Sequence, residues 1–443
     1  MGKQMVLIIG EVYVDTHLDK CNPSPLVRLG GIFHAARAFS AIGVDFAMAY
    51  YAPEYLDECI NQWSFYLRTD YCEKLGNIIS APNVMLINES TEAGDQGYIN
   101  ILKDQADYLP VNLLKDVLDK VCPTDILLFP GGYDTASVIA ELEDYPAKLH
   151  IDIQYDSDGL FDNCERELDT LLLSTSSSFF LEESHGEFKG YIEYFKNQQI
   201  KHLILKENRG GSTAYLPATD ECIEVDSHYV PTMHSVGVGD VYDAAFITNI
   251  IGEDVFKKMK YASLCAARYA ETLDYNVFAR NIKILSGSFE SMLELRGIRL
   301  PWDKRKAVNI YLAAPDFPDV CTDYLDLLYD SLCYHNFSPR RPIKENGLVT
   351  QSMTKAEAFE LYQKDIALMD ECNLLIAVLL TNDPGTLVEL GMFKQEGKPT
   401  LIFDPYHYCT NMFVRFTPDY LCYSLTETIE ATYLCLGGKH NVQ

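Results

Sequence analysis

Ser235-Val236-Gly237-Val238-Gly239-Asp240 runs into a helix-like segment, Val241–Ile251, and sets two glycines and an aspartate at a helix start. Glycines there free backbone N–H groups to point at an anion, and the helix N-terminus adds its dipole. Asp240 can then accept a proton from a hydroxyl attacking a phosphoryl group. Alone, G-x-G-D also reads as a plain turn with an N-cap. The chain upstream gives it context. Val6–Ile9, Phe46–Tyr50, Asp125–Phe129, Leu149–Ile153 and Leu203–Lys206 read as buried strands. The amphipathic stretches Ala35–Ile42, Val111–Val121, Ser137–Leu142 and Glu187–Asn197 fall between and after them. Strand-then-helix order, repeated, predicts an α/β fold with a parallel sheet covered on both faces. Gly10-Glu11-Val12-Tyr13-Val14-Asp15 follows the first strand and puts a carboxylate where ligands of open α/β sheets bind. Gly30-Gly31 allows close backbone approach to a ligand, or marks a simple turn.

Downstream, Gly297-Ile298-Arg299-Leu300-Pro301-Trp302-Asp303-Lys304-Arg305-Lys306 interrupts the alternation with a proline and clustered charges. We read domains at 1–292 and 307–443 with a linker at 293–306. The pattern restarts with a strand at Asn309–Ala313 and a helix at Asp319–Cys333. A helix at Lys355–Cys372, a strand at Leu374–Leu379, a helix at Gly385–Gln395 and a strand at Pro399–Phe403 follow. Asp383-Pro384-Gly385-Thr386-Leu387-Val388-Glu389 reads as a helix start in which Thr386 and Glu389 fit a capping box. A carboxylate at a helix N-terminus is also held ionised by the dipole, as a nucleophile requires. Asp365, on the preceding helix, supplies a second acid. Paired carboxylates in different environments can divide nucleophile and acid duties across a glycosidic bond. His335 reads as a surface or core histidine, Arg340 and Arg341 as solvated loop charges, and Tyr420, Tyr423 and Tyr433 as packing.

Of 443 residues, 48% are apolar and 23% charged, a globular composition for two or three domains. Lys and Arg number 36 against 64 Asp and Glu, a net charge of -28 that disfavours nucleic acid and anionic membrane surfaces. The 13 cysteines include no C-x-x-C pair, which fits reduced thiols rather than a disulfide framework or zinc knuckle. No apolar run approaches the roughly 18 residues of a membrane span, and the N-terminal one is too short for a signal peptide. The expectation is a cytoplasmic protein.

Over roughly residues 1–292 the chain resembles the ribokinase (PfkB) family of sugar and nucleoside kinases. Gly30-Gly31, with Ala36 and Gly43 downstream, resembles the family's early Gly-Gly motif, and Gly237-Val238-Gly239-Asp240 its late G-A-G-D. The resemblance implies a three-layer α/β domain. It implies Asp15 on a sugar hydroxyl, with Gly30, Gly31 and His34 beside the sugar. Gly237, Val238 and Gly239 would form the anion hole, Asp240 would be the base, and ATP and Mg2+ the cofactors of a working kinase. Lys206-Glu207-Asn208-Arg209-Gly210-Gly211 is similar to the family's strand and turn beside the nucleotide. Three departures stand out. His234-Ser235-Val236 replaces D-T-T, and His34 stands where the family has a sugar-contacting Asn. Ser178-Phe179-Phe180-Leu181-Glu182-Glu183 lacks the Asn of the metal-ordering N-x-x-E. The sequence therefore predicts ATP binding with slow phosphorylation of ribose, deoxyribose or a nucleoside, lost in Asp240→Asn. The metal ligands stay unassigned.

Over roughly residues 307–430 the chain resembles the nucleoside 2-deoxyribosyltransferase family. The matching pieces are Ile310-Tyr311-Leu312-Ala313-Ala314-Pro315, Asp365 ahead of Met369–Asn373, and Asp383-x-Gly385-Thr386-x-x-Glu389-x-Gly391. Gly397-Lys398-Pro399 and Asn411-Met412-Phe413-Val414 follow. The resemblance implies a smaller, doubly wound, flavodoxin-like domain that needs no cofactor. It implies Glu389 as nucleophile on the anomeric carbon with Tyr311 positioning it, and Asp365 as proton donor to the base. Asp383 and Asn411 would hold sugar hydroxyls. In that family the counterpart of Asn411 can come from a neighbouring subunit, which implies a homo-oligomer. The partners implied are nucleoside, sugar and nucleobase. The reading is a two-domain nucleoside-metabolism enzyme, its rival a nucleoside- or nucleotide-binding sensor or scaffold without turnover.

Overall fold

A computed structural model describes residues 3–18, 26–153, 164–182 and 185–438. It divides into two compact units, Met1–Thr91 with Gln96–Arg299, and Leu300–Gln443 with the tetrapeptide Glu92–Asp95. Cys21 and Glu183 lie outside the described residues.

In the first unit the central strand is Met5–Glu11. Val6 and Ile8 pack with Phe33, Phe39 and Phe246 on one face, while Leu7 and Ile9, pointing the other way, are just as buried. A run that is apolar without alternation is what coverage on both faces demands. Parallel neighbours build outward from it. Asp45–Ala52 and Tyr71–Ile79 lie on one side, and Asp125–Leu128, Lys148–Ile153, Leu168–Ser174 and Ile200–Lys206 on the other. Antiparallel strands close both edges, Ser212–Leu216 and Glu221–Val225 at one and Asp107–Pro110 at the other. The direction of winding reverses between Met5–Glu11 and Asp125–Leu128, so the carboxyl ends of these two strands bound the crevice where such sheets bind ligands. Beyond it a separate four-stranded sheet is made of Leu26–Leu29, Val14–His17, Val84–Ile87 and Ile99–Asn100. Its strands are two to four residues long, too short for periodicity to reveal.

In the second unit Ser338–Arg340, Asn309–Ala313, Leu374–Val378, Thr400–Phe403 and Tyr420–Cys422 form an all-parallel sheet in that spatial order. Counted along the unit this is 2-1-3-4-5, the flavodoxin-like order, with its switch point between Asn309–Ala313 and Leu374–Val378. Tyr311, Leu375, Ala377, Leu390, Phe393 and Ile402 share one core.

The reading of Arg340 and Arg341 as solvated loop charges is corrected. Arg340 ends a strand, and Arg341 is buried, with its guanidinium on Asp316 at 2.8 Å and on Asp326. A solvated loop would leave those charges in water; here paired acids compensate them. The stretch 293–306 is ordered, with Ile298 bridged to Ser227 and a short helix at Trp302–Arg305. His335 and Tyr433 are fully buried and bonded to each other at 3.3 Å, whereas Tyr420 and Tyr423 are exposed.

Candidate active sites

In the second unit the residues gather at the switch point. Tyr311 lies in the middle of the first strand, fully buried, and its hydroxyl donates to Glu389 Oε1 at 2.9 Å. Glu389 projects from the second turn of the helix Pro384–Gln395. That helix is capped by Asp383 rather than by Thr386. Asp383 Oδ2 accepts from the Thr386 N–H at 2.8 Å and from its hydroxyl at 2.9 Å. The expected Thr386–Glu389 capping box is therefore not formed. Pro384 occupies the first helical turn and Asp383 reaches across it, which leaves Glu389 clear of the cap and facing Tyr311. Nor is Glu389 held ionised by the dipole: burial pushes its carboxyl up to about 7. The Tyr311 bond opposes that rise, and Asp365 and Asp383 add to it. Asp365, on the helix Lys355–Asp370, is raised by burial and restrained by a bond from Asn346 Nδ2 to its Oδ1 at 2.8 Å. Asn411 is exposed and caps the helix Met412–Phe416, its Oδ1 accepting from the Phe413 N–H at 2.8 Å.

Two residues escaped the sequence reading. Asn346 ends the short helix Pro342–Asn346 and bonds an acid 19 residues away, a pairing that no local pattern announces. Asp404 is fully buried just past the strand Thr400–Phe403. It accepts from the Tyr408 and Cys409 N–H groups at 2.8 and 2.7 Å, and so shapes the loop that leads to Asn411. A lone acid directly after an apolar strand was the available signal.

In the first unit the helix Val238–Ile247 starts at Gly237, whose φ of 75 suits glycine, and Asp240 lies in its first turn. The side chains around Asp15 are engaged by one another. Asp15 and His34 are buried, and His34 Nε2 donates to Asp15 Oδ2 at 2.9 Å. His34 Nδ1 lies 2.8 Å from the Tyr269 hydroxyl, and burial pushes the imidazole down to about 4, leaving it neutral. Arg28 approaches Asp15 at 3.8 Å and donates to the Val236 carbonyl at 3.0 Å. Burial works against the Asp15 charge, but His34 and Arg28 hold its carboxyl below the usual range. The glycines serve this packing: a Cβ on Gly30 would fall 2.1 Å from Asp15 Oδ1, and one on Gly237 2.1 Å from the His34 ring. A Cβ on Gly31, whose φ is 59, would fall 2.2 Å from the Glu11 carbonyl oxygen. Lys206 is buried and ion-paired to Asp152 at 3.1 Å and Asp243 at 2.8 Å. Burial alone would lower its pKa, yet those two carboxylates raise it, so the ammonium stays charged. A Cβ on Gly239 would sit 3.3 Å from Lys206 Nζ, so the lysine underlies Gly237-Val238-Gly239. Asp152, Asp240 and Asp243 bring carboxylate oxygens within 4.8 Å of one another, as a metal site would, but Lys206 already supplies a cation there. Carboxylate oxygens suit Mg2+ as donors, but Lys206 Nζ already neutralises the Asp152 and Asp243 part of this set.

The nucleoside 2-deoxyribosyltransferase family model matches residues 310–416. Among solved structures, the ribokinase of Giardia lamblia is 12% identical over 65% of this chain and 100% of its own, with a TM-score of 0.50. A candidate ribokinase from Agrobacterium tumefaciens is 11% identical over 67% of this chain and 100% of its own, at 0.51. Arabidopsis thaliana ribokinase, complexed with ribose and ATP, is 13% identical over 64% and 99%, at 0.48. No curated protein sequence matches. No helix among the described residues is long and apolar enough to cross a membrane. The chain thus joins a ribokinase-like fold to a domain that matches the nucleoside 2-deoxyribosyltransferase family.

Proposed function

We propose that the second unit breaks the N-glycosidic bond of 2'-deoxynucleosides through Glu389. The observation that carries this is the Tyr311–Glu389 bond at the switch point, with Asp365 and Asp383 close enough to act on the Glu389 charge. Ionised Glu389 attacks the anomeric carbon, and the bond to the base breaks with its electron pair going to the base nitrogen. That nitrogen takes a proton from Asp365. The glycosyl ester then passes to a second base, or to water, by the reverse proton movement. Asp383, anchored as helix cap, presents its carboxylate to the sugar. Asn411 stands on an exposed rim beside Phe413 and Phe416, both largely exposed, which supports its serving the site of a second copy. Incubation with a panel of deoxynucleosides, with and without a free base, tests the reading by chromatography. Base release that is absent from every deoxynucleoside overturns it.

For the first unit the engaged Asp15 favours a second reading, a nucleoside- or nucleotide-binding element without phosphoryl transfer. A kinase must present that carboxylate to an acceptor hydroxyl, and here it is bonded to His34.

A further inference from the structure

The geometry points to Asn346 as the positioning residue that lets Asp365 pass between its acid and carboxylate forms during turnover. This rests on the proposed glycosyl transfer. In that reaction Asp365 gives a proton to the leaving base and takes one back from the incoming base or water, so it must be stable in both forms. Its hydrogen-bond partner must therefore donate to the carboxylate and accept from the acid. A primary amide does both by rotating half a turn, because it carries N–H donors on one end and a carbonyl acceptor on the other. A cationic partner would only donate, and would hold Asp365 ionised; a second carboxylate would hold it protonated. Asn346 Nδ2 lies 2.8 Å from Asp365 Oδ1, and both side chains are partly buried.

The surroundings make this partner matter. The strand Asn309–Ala313 brings Tyr311, whose hydroxyl feels the charges of both Glu389 and Asp365. The helix Pro384–Gln395 brings Glu389, itself raised by Asp365 and Asp383. The helix Pro342–Asn346 brings the amide, and its neighbour Glu345 is engaged by Arg340. Among the described residues no Lys, Arg or His is ion-paired to Glu389, Asp365 or Asp383. With no cation in the set, the site's protons are apportioned by two neutral donors, Tyr311 on Glu389 and Asn346 on Asp365. Gly347, with φ of 98, turns the chain away directly after Asn346 and closes the short helix through its N–H on the Ile343 carbonyl. The amide is thus placed by backbone geometry, not by a long flexible side chain.

The test is the pH dependence of kcat/KM for deoxynucleoside cleavage by the full chain carrying Asn346→Leu, Asn346→Asp or Asn346→Gln. Leu keeps the shape and removes the donor, so one of the two apparent pKa values rises by about one unit, the worth of a bond to a charged group. The other stays in place, and Asp365→Asn removes the one that moves. Asp cannot donate when ionised, and raises the same value further. Gln retains the amide and restores the wild-type profile in part. A fall in rate that is equal at every pH, with both apparent pKa values unmoved, shows a merely structural Asn346 and overturns the inference. Wild-type protein that cleaves no deoxynucleoside refutes instead the glycosyl-transfer reading beneath it.

Discussion

Replacing Glu389 by Gln should destroy activity and, above neutral pH, stabilise the fold. The carboxyl is held near 7 rather than at its ordinary 4.5, burial being the largest cause. Below about pH 4.5 the group is protonated in both folded and unfolded chains and costs nothing. As pH rises towards 7 the unfolded chain ionises first, so the stability that the neutral carboxyl retains is progressively lost. Above 7 the folded protein carries a buried charge, and the full cost of about 3 kcal/mol applies. Gln keeps an oxygen for the Tyr311 hydroxyl but carries no charge, so it should recover about 1–3 kcal/mol at pH 8 and almost nothing at pH 4.5. The two tryptophans make the assay specific: Trp63 lies in the first unit and Trp302, buried, in the second. In a Trp63→Phe background, fluorescence of Trp302 through a urea titration reports the second unit alone. A Gln variant no more stable than its parent at pH 8, or equally more stable at pH 4.5 and 8, refutes the assignment of a desolvated Glu389.

Tyr311→Phe should remove a bond that restrains Glu389, moving its apparent pKa higher and lowering kcat, read from pH–rate profiles. Asp383→Ala should cost about 1 kcal/mol through the lost helix cap as well as activity, whereas Asp383→Asn should keep the cap and show the sugar contact alone, seen by comparing urea midpoints with kcat/KM. Lys206→Met should destabilise the first unit by about 3–5 kcal/mol, because Asp152 and Asp243 lose their buried counter-charge; Trp63 fluorescence reads it. The wild-type protein should transfer no phosphate from ATP to ribose, deoxyribose or a nucleoside in a radiolabel assay, and transfer that vanishes in Asp240→Asn would contradict the reading without phosphoryl transfer.

The sequence made the skeleton legible where burial on both faces left long apolar runs. Asn309–Ala313 was placed to the residue, and the expected Val6–Ile9 and Phe46–Tyr50 fall inside Met5–Glu11 and Asp45–Ala52. The short strands of the four-stranded sheet carry too few residues for any period, and the two-residue Ile99–Asn100 carries none. Of the candidate site, Asp383 was legible as a helix cap, while Asp365 and Glu389, both inside helices, stood out through the motifs around them and not through any boundary. Their electrostatics were not, since the burial that raises the Glu389 carboxyl is set by tertiary packing and by no local pattern. The bonds of His34 to Asp15 and of Asn346 to Asp365 join residues about twenty positions apart in different elements. Side-chain pairing of that kind is set by tertiary packing, which neither spacing nor propensity encodes.

Rapid acid quenching of the full-length protein during turnover of a deoxynucleoside, followed by peptide mass spectrometry, addresses the covalent role of Glu389 most directly. A deoxyribosyl ester on the peptide containing Glu389, present in wild type and absent from Glu389→Gln, is the expected result. Steady base release with no adduct, or with an adduct on another residue, would contradict it.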